Sequence, residues 1–513
     1  MINRSAGNGI GGCGPGNRGW EHEAGGRESE DAARNPRDIN QVMRKIYKQE
    51  AMDMASERKK LKIAIIGAGS VSFCPTTVSD ILRNESIKDA DLTISLMDIH
   101  QEALDISSEF CRKLKEVHKP DAVIEATLNL REALTGADFV VTAIEKERYF
   151  YWSQDFHIPR KYGFRQIYGE NGGPGGMFHT LRNLGPMLEI AKMMEEVCPD
   201  AYLLNYTNPE AKLVGMIAKA TKIKVVGLCH GEQMGVDQAA KILEMDKSEL
   251  ETEVSGLNHF GVLTKLVEKK TGRDLYPLLR EKELRMEKLA LWDELALSRI
   301  LLRVYGVWVY PGANHIGEYL SWSDQFLASA QMQYFYDPMT EKPWSDISNE
   351  PLEFIYSIGG RNWEKEMFKN EKKDIFKDAF DANGEREQNH EYGVPIIEAI
   401  AFDKPLHVGA VNVTNKGYCP SLPDGMVVEV PAMVDGNGIH PLQTEKIPAG
   451  LAAMMATQGS IADLLYEAYM EKDRKKLLQA MLLDPTISSY SNAVNLINEM
   501  CEVQKDILPE MNW

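Results

Sequence analysis

Three short polar clusters between Asn205 and His259 carry residue types that packing alone does not require: Asn205-Tyr206-Thr207-Asn208-Pro209, Cys229-His230-Gly231 and Asn258-His259-Phe260, each closing an apolar run. Cys229 offers a thiolate and His259 an imidazole. That pair suits a first-row divalent metal and leaves most of its coordination sphere to water or substrate. An apolar run ending in Asn or Cys puts a ligand-capable side chain at the carboxyl end of a strand, where open α/β sheets bind their ligands. The competing reading is a buried cysteine and a hydrogen-bonded core histidine, since free cysteine is among the most buried residue types.

The elements that must position these residues are legible upstream. From Leu61 the chain alternates short apolar runs with helical patterns. Strands are expected over 62–66, 92–97, 122–125, 138–143, 201–204 and 224–228, with amphipathic helices such as 101–114 and 179–197 between them. Such alternation implies βαβ units and a doubly wound parallel sheet of the dinucleotide-binding kind. The first strand runs into Gly67-Ala68-Gly69-Ser70-Val71-Ser72-Phe73 and then a helix over 76–83. Glycines in that place permit a tight turn and let backbone N–H groups approach a pyrophosphate at the helix N-terminus. Ser72 stands where the third glycine of the fingerprint would be. The second strand ends at Asp98, an acid placed to bind the adenosine ribose, which favours NAD over NADP. The ordinary alternative is a plain strand-turn-helix with a solvated aspartate.

Composition sets the outer bounds. The chain has 513 residues and a formal charge of −18, with no basic stripe. That balance argues against nucleic acid or an anionic membrane as the main partner. No apolar run reaches bilayer length and the N-terminus lacks a secretory pattern, so a soluble, cytoplasmic protein is expected. Seven scattered cysteines, an odd number, point to free thiols rather than a disulfide framework. Residues 1–58 are Gly-rich, then charged, and are expected to be a disordered tail with at most a short charged helix over 41–60. The dinucleotide-binding domain is expected over 59–230 and an α+β substrate-binding and oligomerisation domain over 231–513. In the latter, 281–305 and 450–470 read as helical and 408–431 as β.

Gly67-Ala68-Gly69-Ser70, Asn205-Tyr206-Thr207-Asn208-Pro209, Cys229-His230-Gly231, Asn258-His259-Phe260 and His315-Ile316-Gly317-Glu318-Tyr319 together resemble the signature blocks of glycoside hydrolase family 4. Val411-Asn412-Val413-Thr414-Asn415-Lys416-Gly417, Val427-Val428-Glu429-Val430-Pro431 and Leu482-Leu483-Asp484-Pro485 add weaker support, so the resemblance runs from Lys62 nearly to the C-terminus. It implies a cytoplasmic homodimer or homotetramer that needs NAD and a divalent metal, commonly manganese, and acts on a small-molecule glycoside. Family 4 departs from the two-carboxylate scheme of glycoside hydrolysis. The implied route is hydride removal from C3 of the sugar to NAD, loss of the C2 proton, elimination of the aglycone, addition of water and return of the hydride. By the same resemblance Cys229 and His259 are metal ligands, Asn208 contacts the sugar, Asn205 lies at the nicotinamide end, and His230 is the acid that helps the aglycone leave. Many relatives carry Asp two residues before the His of the His-Ile-Gly-Glu-Tyr block, where this chain has Ala313. The C2 base therefore stays open among His315, Tyr310 and Glu318.

Cys229-His230-Gly231 resembles the subgroup acting on α-glucuronides. A uronate carboxylate calls for a charge-assisted partner, most specifically an arginine fork. Arg148 is the first candidate because it lies just past the fourth strand, with Lys146, Arg160 and Lys161 nearby. Tyr149-Phe150-Tyr151-Trp152 reads as core or pocket wall, and 169–176, a Gly-rich loop, as a border of the nicotinamide or a plain connection. The alternatives are another C6-anionic sugar (a galacturonide or a 6-sulfo sugar), an α-galactoside or α-glucoside, or an NAD-dependent 2-hydroxy-acid dehydrogenase sharing only the dinucleotide half.

Overall fold

A computed structural model describes residues 58–70, 73–286, 294–325 and 391–513. Residues 1–57 of the expected N-terminal tail and Ser72 lie outside the described residues. The six expected strands form as β1 (Lys60–Ile66), β2 (Asp91–Met97), β3 (Val123–Thr127), β4 (Phe139–Thr142), β5 (Tyr202–Asn205) and β6 (Lys224–Gly227). They pair in parallel in the order β3-β2-β1-β4-β5-β6. That order reverses between β1 and β4, which opens the crevice where a doubly wound sheet receives a ligand.

Side-chain alternation along β1 divides the core. Ile63 and Ile65 pack with α1 (Phe73–Arg83), α2 (Gln101–His118) and the 394–401 segment. Ala64 and Ile66 pack on the opposite face with α4 (Gly173–Val197) and the C-terminal helices. Successive strand residues point to opposite faces, so a parallel strand covered on both sides must be apolar throughout. The other helices that bear on the site are α3 (Arg148–Lys161), α5 (Glu210–Ala220), α6 (Gly231–Leu243) and the short α9 (Ala313–Ile316).

The sheet does not stop at β6. Asn412 of β10 (Leu406–Thr414) pairs with Gly227, and the order continues antiparallel through β11 (Val427–Asp435), β7 (Leu250–Leu257), β8 (Phe260–Glu268) and β9 (Trp308–Tyr310). Lys59–Trp513 is accordingly one compact unit, and the sheet crosses residue 230 without a break. The helix expected from His179 starts six residues earlier, at Gly173, because Pro174 fits the first turn, where its missing N–H costs nothing. The helical character of 281–305 resolves into α7 (Tyr276–Arg285) and α8 (Ala296–Tyr305), with 287–293 outside the described residues. No helix among the described residues is long and apolar enough to cross a membrane. The six described cysteines are free thiols.

Candidate active site

The glycine turn is built for close approach. Gly67 has φ of 90°, and a Cβ there would meet the Ala143 carbonyl oxygen at 2.2 Å. The Gly69 N–H donates to Asp98 Oδ2 at 2.7 Å, and His100 N–H donates to Oδ1 at 2.9 Å. Asp98 is thus fixed at the tip of β2 with further lone pairs to offer. Ser70 Oγ accepts from Phe73 N–H at 3.1 Å, where it opens α1. Bare backbone, a helix start and an acid meet here as a dinucleotide's pyrophosphate and ribose require.

At the ends of β4 and β5 the polar groups tie the two strands together. Asn205 Oδ1 accepts from Thr142 Oγ1 and Thr207 N–H, both at 3.0 Å, and its Nδ2 donates to Thr207 O at 3.1 Å. Asn205 is fully buried, so it shapes the crevice floor. Asn208 is half-buried, and its side-chain amide has no hydrogen-bond partner among the described residues, which leaves it available to a ligand.

The donor atoms of Glu170, His259 and His315 lie within 4.8 Å of one another. Three separate elements bring them together: the loop before α4, the β7–β8 turn and α9. His259 sits in the left-handed region, φ 65°, a conformation uncommon outside glycine. The two imidazole rings meet edge to face at a centroid distance of 4.1 Å, and Tyr168 stacks on His315 at 5.4 Å. Asn171 Nδ2 lies 3.0 Å from His259 Nδ1, and Asn314 Oδ1 lies 2.8 Å from His315 Nδ1. Asn314 Oδ1 accepts from His315 Nδ1–H, which leaves the His315 Nε2 lone pair to a ligand, whereas the Asn171 amide donates to His259 Nδ1. Burial lowers the pKa of both rings, that of His315 to about 4, so both are neutral at pH 7.

Cys229 lies two residues beyond β6, and its thiol is pushed up by burial and then by the Glu429 carboxylate. It is not one of the three converging residues. His230, more exposed, places Nδ1 3.1 Å from Glu391 Oε1, and that hydrogen bond raises its pKa.

Of the three candidates for the base, only His315 joins the cluster. Tyr310 is fully buried and donates its hydroxyl to Glu429 Oε1 at 2.6 Å. Glu318 Oε1 accepts the backbone N–H groups of Glu170 at 2.5 Å and Asn171 at 2.8 Å, while burial and then Glu170 push its pKa up to about 8. Ala313 is buried.

Arg148 is placed otherwise than an anion fork requires. Its Nη1 is on Glu145 and its Nη2 is 2.6 Å from Glu170 Oε1, with Trp152 under the guanidinium at 5.1 Å. A guanidinium already flanked by two carboxylates has little net charge left for a third anion. Lys161 pairs with Glu499 at 2.7 Å and Arg160 donates to Gln166 O at 3.0 Å. Lys146, half-buried, has no ion pair or hydrogen bond among the described residues.

Glu170 is the residue that sequence reasoning missed. Its signal was a carboxylate inside a Gly-rich run, which reads as flexible loop until the fold packs it. The site is contiguous with the glycine turn: a Cβ on Gly67 would touch Ile144 at 3.0 Å, and Glu145 leads through Arg148 to Glu170.

Two family models match the chain, "Family 4 glycosyl hydrolase" over residues 62–245 and "Family 4 glycosyl hydrolase C-terminal domain" over 254–487. An alpha-galactosidase of Bacillus subtilis is 31% identical, over 88% of this chain and 99% of its own length. An alpha-galacturonidase of Thermoanaerobacter italicus is 28% identical, over 87% and 97%. Among solved structures, a 6-phospho-alpha-glucosidase from gut microorganisms in complex with NAD and Mn2+ superposes with a TM-score of 0.72 at 23% identity, over 88% of this chain and all of that one.

Proposed function

We propose, from the premise that this chain belongs to glycosyl hydrolase family 4, that it hydrolyses α-glycosides of a C6-anionic sugar, α-glucuronides first, using NAD and a divalent ion, manganese by family resemblance. The observation that carries the reading is the convergence of Glu170, His259 and His315 in contact continuity with the glycine turn and Asp98. Gly67 and Gly69 leave the backbone bare where a pyrophosphate would lie, since a Cβ on either would overlap its neighbours, and Asp98 has lone pairs for the ribose. His259, with Cys229 as its co-ligand by family resemblance, holds the ion. When bound, NAD supplies a hydride acceptor and the ion a Lewis acid, and neither is consumed in a net hydrolysis.

The protein's own groups do the rest. Asn208 turns a side-chain amide to the sugar. His230, kept protonated to higher pH by Glu391, holds a proton for the departing aglycone oxygen. For the sugar, the relatives span a neutral and an anionic C6 group, and Cys229-His230-Gly231 resembles the glucuronide subgroup. Lys146 supports the anionic choice, because a half-buried ammonium without a counter-ion among the described residues favours a substrate carboxylate.

The test is a panel of aryl α-glycosides (glucuronide, galacturonide, glucoside and galactoside) followed for released aglycone and for NADH together. Release without net NADH, lost on chelation or on removal of NAD, and highest on a uronide is the expected result. Stoichiometric NADH would replace hydrolysis with a dehydrogenase reaction. A preference for the neutral sugars would overturn only the substrate class.

A further inference from the structure

We infer that the cavity between α5 and the helix Ala449–Glu471 is a water passage, separate from the substrate cleft, which delivers the water consumed in hydrolysis from behind the loop that carries Glu170. The inference deepens the proposed function and rests on it. Polar residues line the cavity from the surface to its floor. Lys219 and Asp463, both exposed and joined in an ion pair, stand at the mouth. Lys212, Asn258, Tyr319 and Gln458, all buried, form the floor. The open space is about 40 Å3. A water needs at least about 10–15 Å3 and two to four polar partners, so about two or three fit.

The floor offers those partners. Gln458 is 5% exposed, and its Oε1 has no hydrogen-bond partner among the described residues. The Lys212 ammonium, with three protons to donate, reaches Asn171 O. The Tyr319 hydroxyl comes no closer than 3.5 Å to Asn258 O, long for a hydroxyl donor. A dry cavity would leave these groups desolvated with no bond in return, whereas water in it satisfies them together.

The same floor is the back wall of the candidate site. Asn258 precedes His259, and its amide neighbours Cys229 and Glu429. Lys212 holds Asn171, whose amide donates to His259 Nδ1. Tyr319 follows Glu318, which accepts the N–H groups of Glu170 and Asn171. Water at the floor is therefore separated from the reacting carbons by single side chains. In the proposed route the aglycone leaves C1 by elimination before water is needed. Water oxygen then bonds C1, and a water proton replaces the one lost from C2. With sugar and nicotinamide filling the cleft, a rear passage of water's width supplies that reactant and refuses an alcohol or a second sugar.

Ala462 lines the cavity between floor and mouth, half-buried and about one helical turn beyond Gln458. Ala462→Leu puts an isobutyl group into the passage and alters no residue assigned to the sugar, NAD or the ion. Gln458→Leu, which removes the polar floor at similar size, stands in if the first variant folds poorly. High-resolution crystal structures, stopped-flow release of aglycone from the aryl α-glycoside cleaved fastest, and NADH absorbance during turnover are compared with wild type. NAD affinity and urea melts check the fold. The wild-type cavity should hold about two or three ordered waters, and the variants should lose them. Because aglycone leaves before water adds, the first turnover should stay within about twofold of wild type while the steady rate falls at least about tenfold. The trace should then show an aglycone burst of about one equivalent per active site, with NADH accumulating beside it. A wild-type cavity without ordered water, or variants that lose the waters at an unchanged steady rate, would overturn the passage and leave the proposed function standing. Equal slowing of first and later turnovers, with no burst, would do the same. A wild type that releases aglycone from no glycoside would overturn both.

Discussion

Tyr310 shows how a residue beside a candidate site can belong to the scaffold. Its ring covers two glycines: a Cβ on Gly261 would lie 2.2 Å from the ring carbon bearing the hydroxyl, and one on Gly235 would lie 2.6 Å from the ring. Its hydroxyl serves Glu429, which is pushed up to about 7 by burial. Tyr310→Phe should therefore lower stability by roughly 1–3 kcal/mol, the cost of leaving a buried polar group short of a partner. It should keep kcat within about tenfold, whereas loss of a catalytic base costs 10²-fold or more. Chemical denaturation and steady-state kinetics on the same variant separate the two roles. Lys146 is the opposite case, a cation whose use depends on the substrate. Lys146→Met should cut kcat/KM for an α-glucuronide by about 10- to 100-fold, as expected for one charged hydrogen bond, and leave the matching α-glucoside nearly unchanged. Equal losses on both would remove it from the sugar site. At this scale the sequence displayed His259, His315 and His230, because imidazoles are few and stood in recognisable blocks. It did not display Glu170 as a partner of two histidines 89 and 145 residues away, since no local pattern encodes which carboxylate a loop will turn inward. It likewise gave no sign that Arg148 would be taken by Glu145.

Elements explain how the loop from Gly169 to Gly176 becomes precise despite its glycines. Gly175 N–H donates to Gln166 Oε1 at 2.8 Å, and Glu318, from the far end of the chain's site blocks, accepts from Glu170 and Asn171. A Cβ on Gly172 would collide with the Glu318 backbone oxygen at 2.5 Å, so the glycine is there to admit the strap and not to loosen the loop. Glu318→Ala should release that segment. The expected signs are faster amide exchange at Glu170–Gly172, a stability loss of roughly 1–3 kcal/mol from unpaired buried donors, and weaker Mn2+ binding with NAD affinity retained. Exchange at the loop unchanged from wild type would show that packing alone holds it. The strands and most helices were legible because their apolar periodicity is local. The purpose of the Gly-rich loop was not, because it is set by contacts with Glu318 and Asp484, which lie far away in the sequence.

Across the whole molecule, pH acts through buried groups of both kinds, and their signs differ. His157, on α3 and almost fully buried, is lowered from 6.5 to about 3, by burial first and then by Arg160. Between those values the unfolded chain binds a proton that the folded chain refuses, so stability falls as pH drops below 6.5 and this contribution levels off near pH 3. One such group contributes at most roughly 4 to 5 kcal/mol across that window. Glu318 and Glu429, raised to about 8 and about 7, act in the other sense. They keep protons in the fold that the unfolded chain releases above pH 4.5, so their contribution declines as pH rises towards neutrality. Bulk stability between pH 4.5 and 6.5 is therefore a balance of opposed slopes, and the total curve identifies no single residue. The difference curve does. His157→Phe keeps an aromatic ring in the buried site but cannot take a proton in the unfolded state. Its stability relative to wild type should improve steadily from pH 6.5 down to pH 4.5, before carboxylates such as Glu283 and Glu499, whose pKa values are lowered, begin to dominate acid unfolding. Urea melts of the two proteins at intervals across that range measure the difference directly. A constant offset between them would mean that His157 is protonated in the folded protein and that its burial does not set the acid limit.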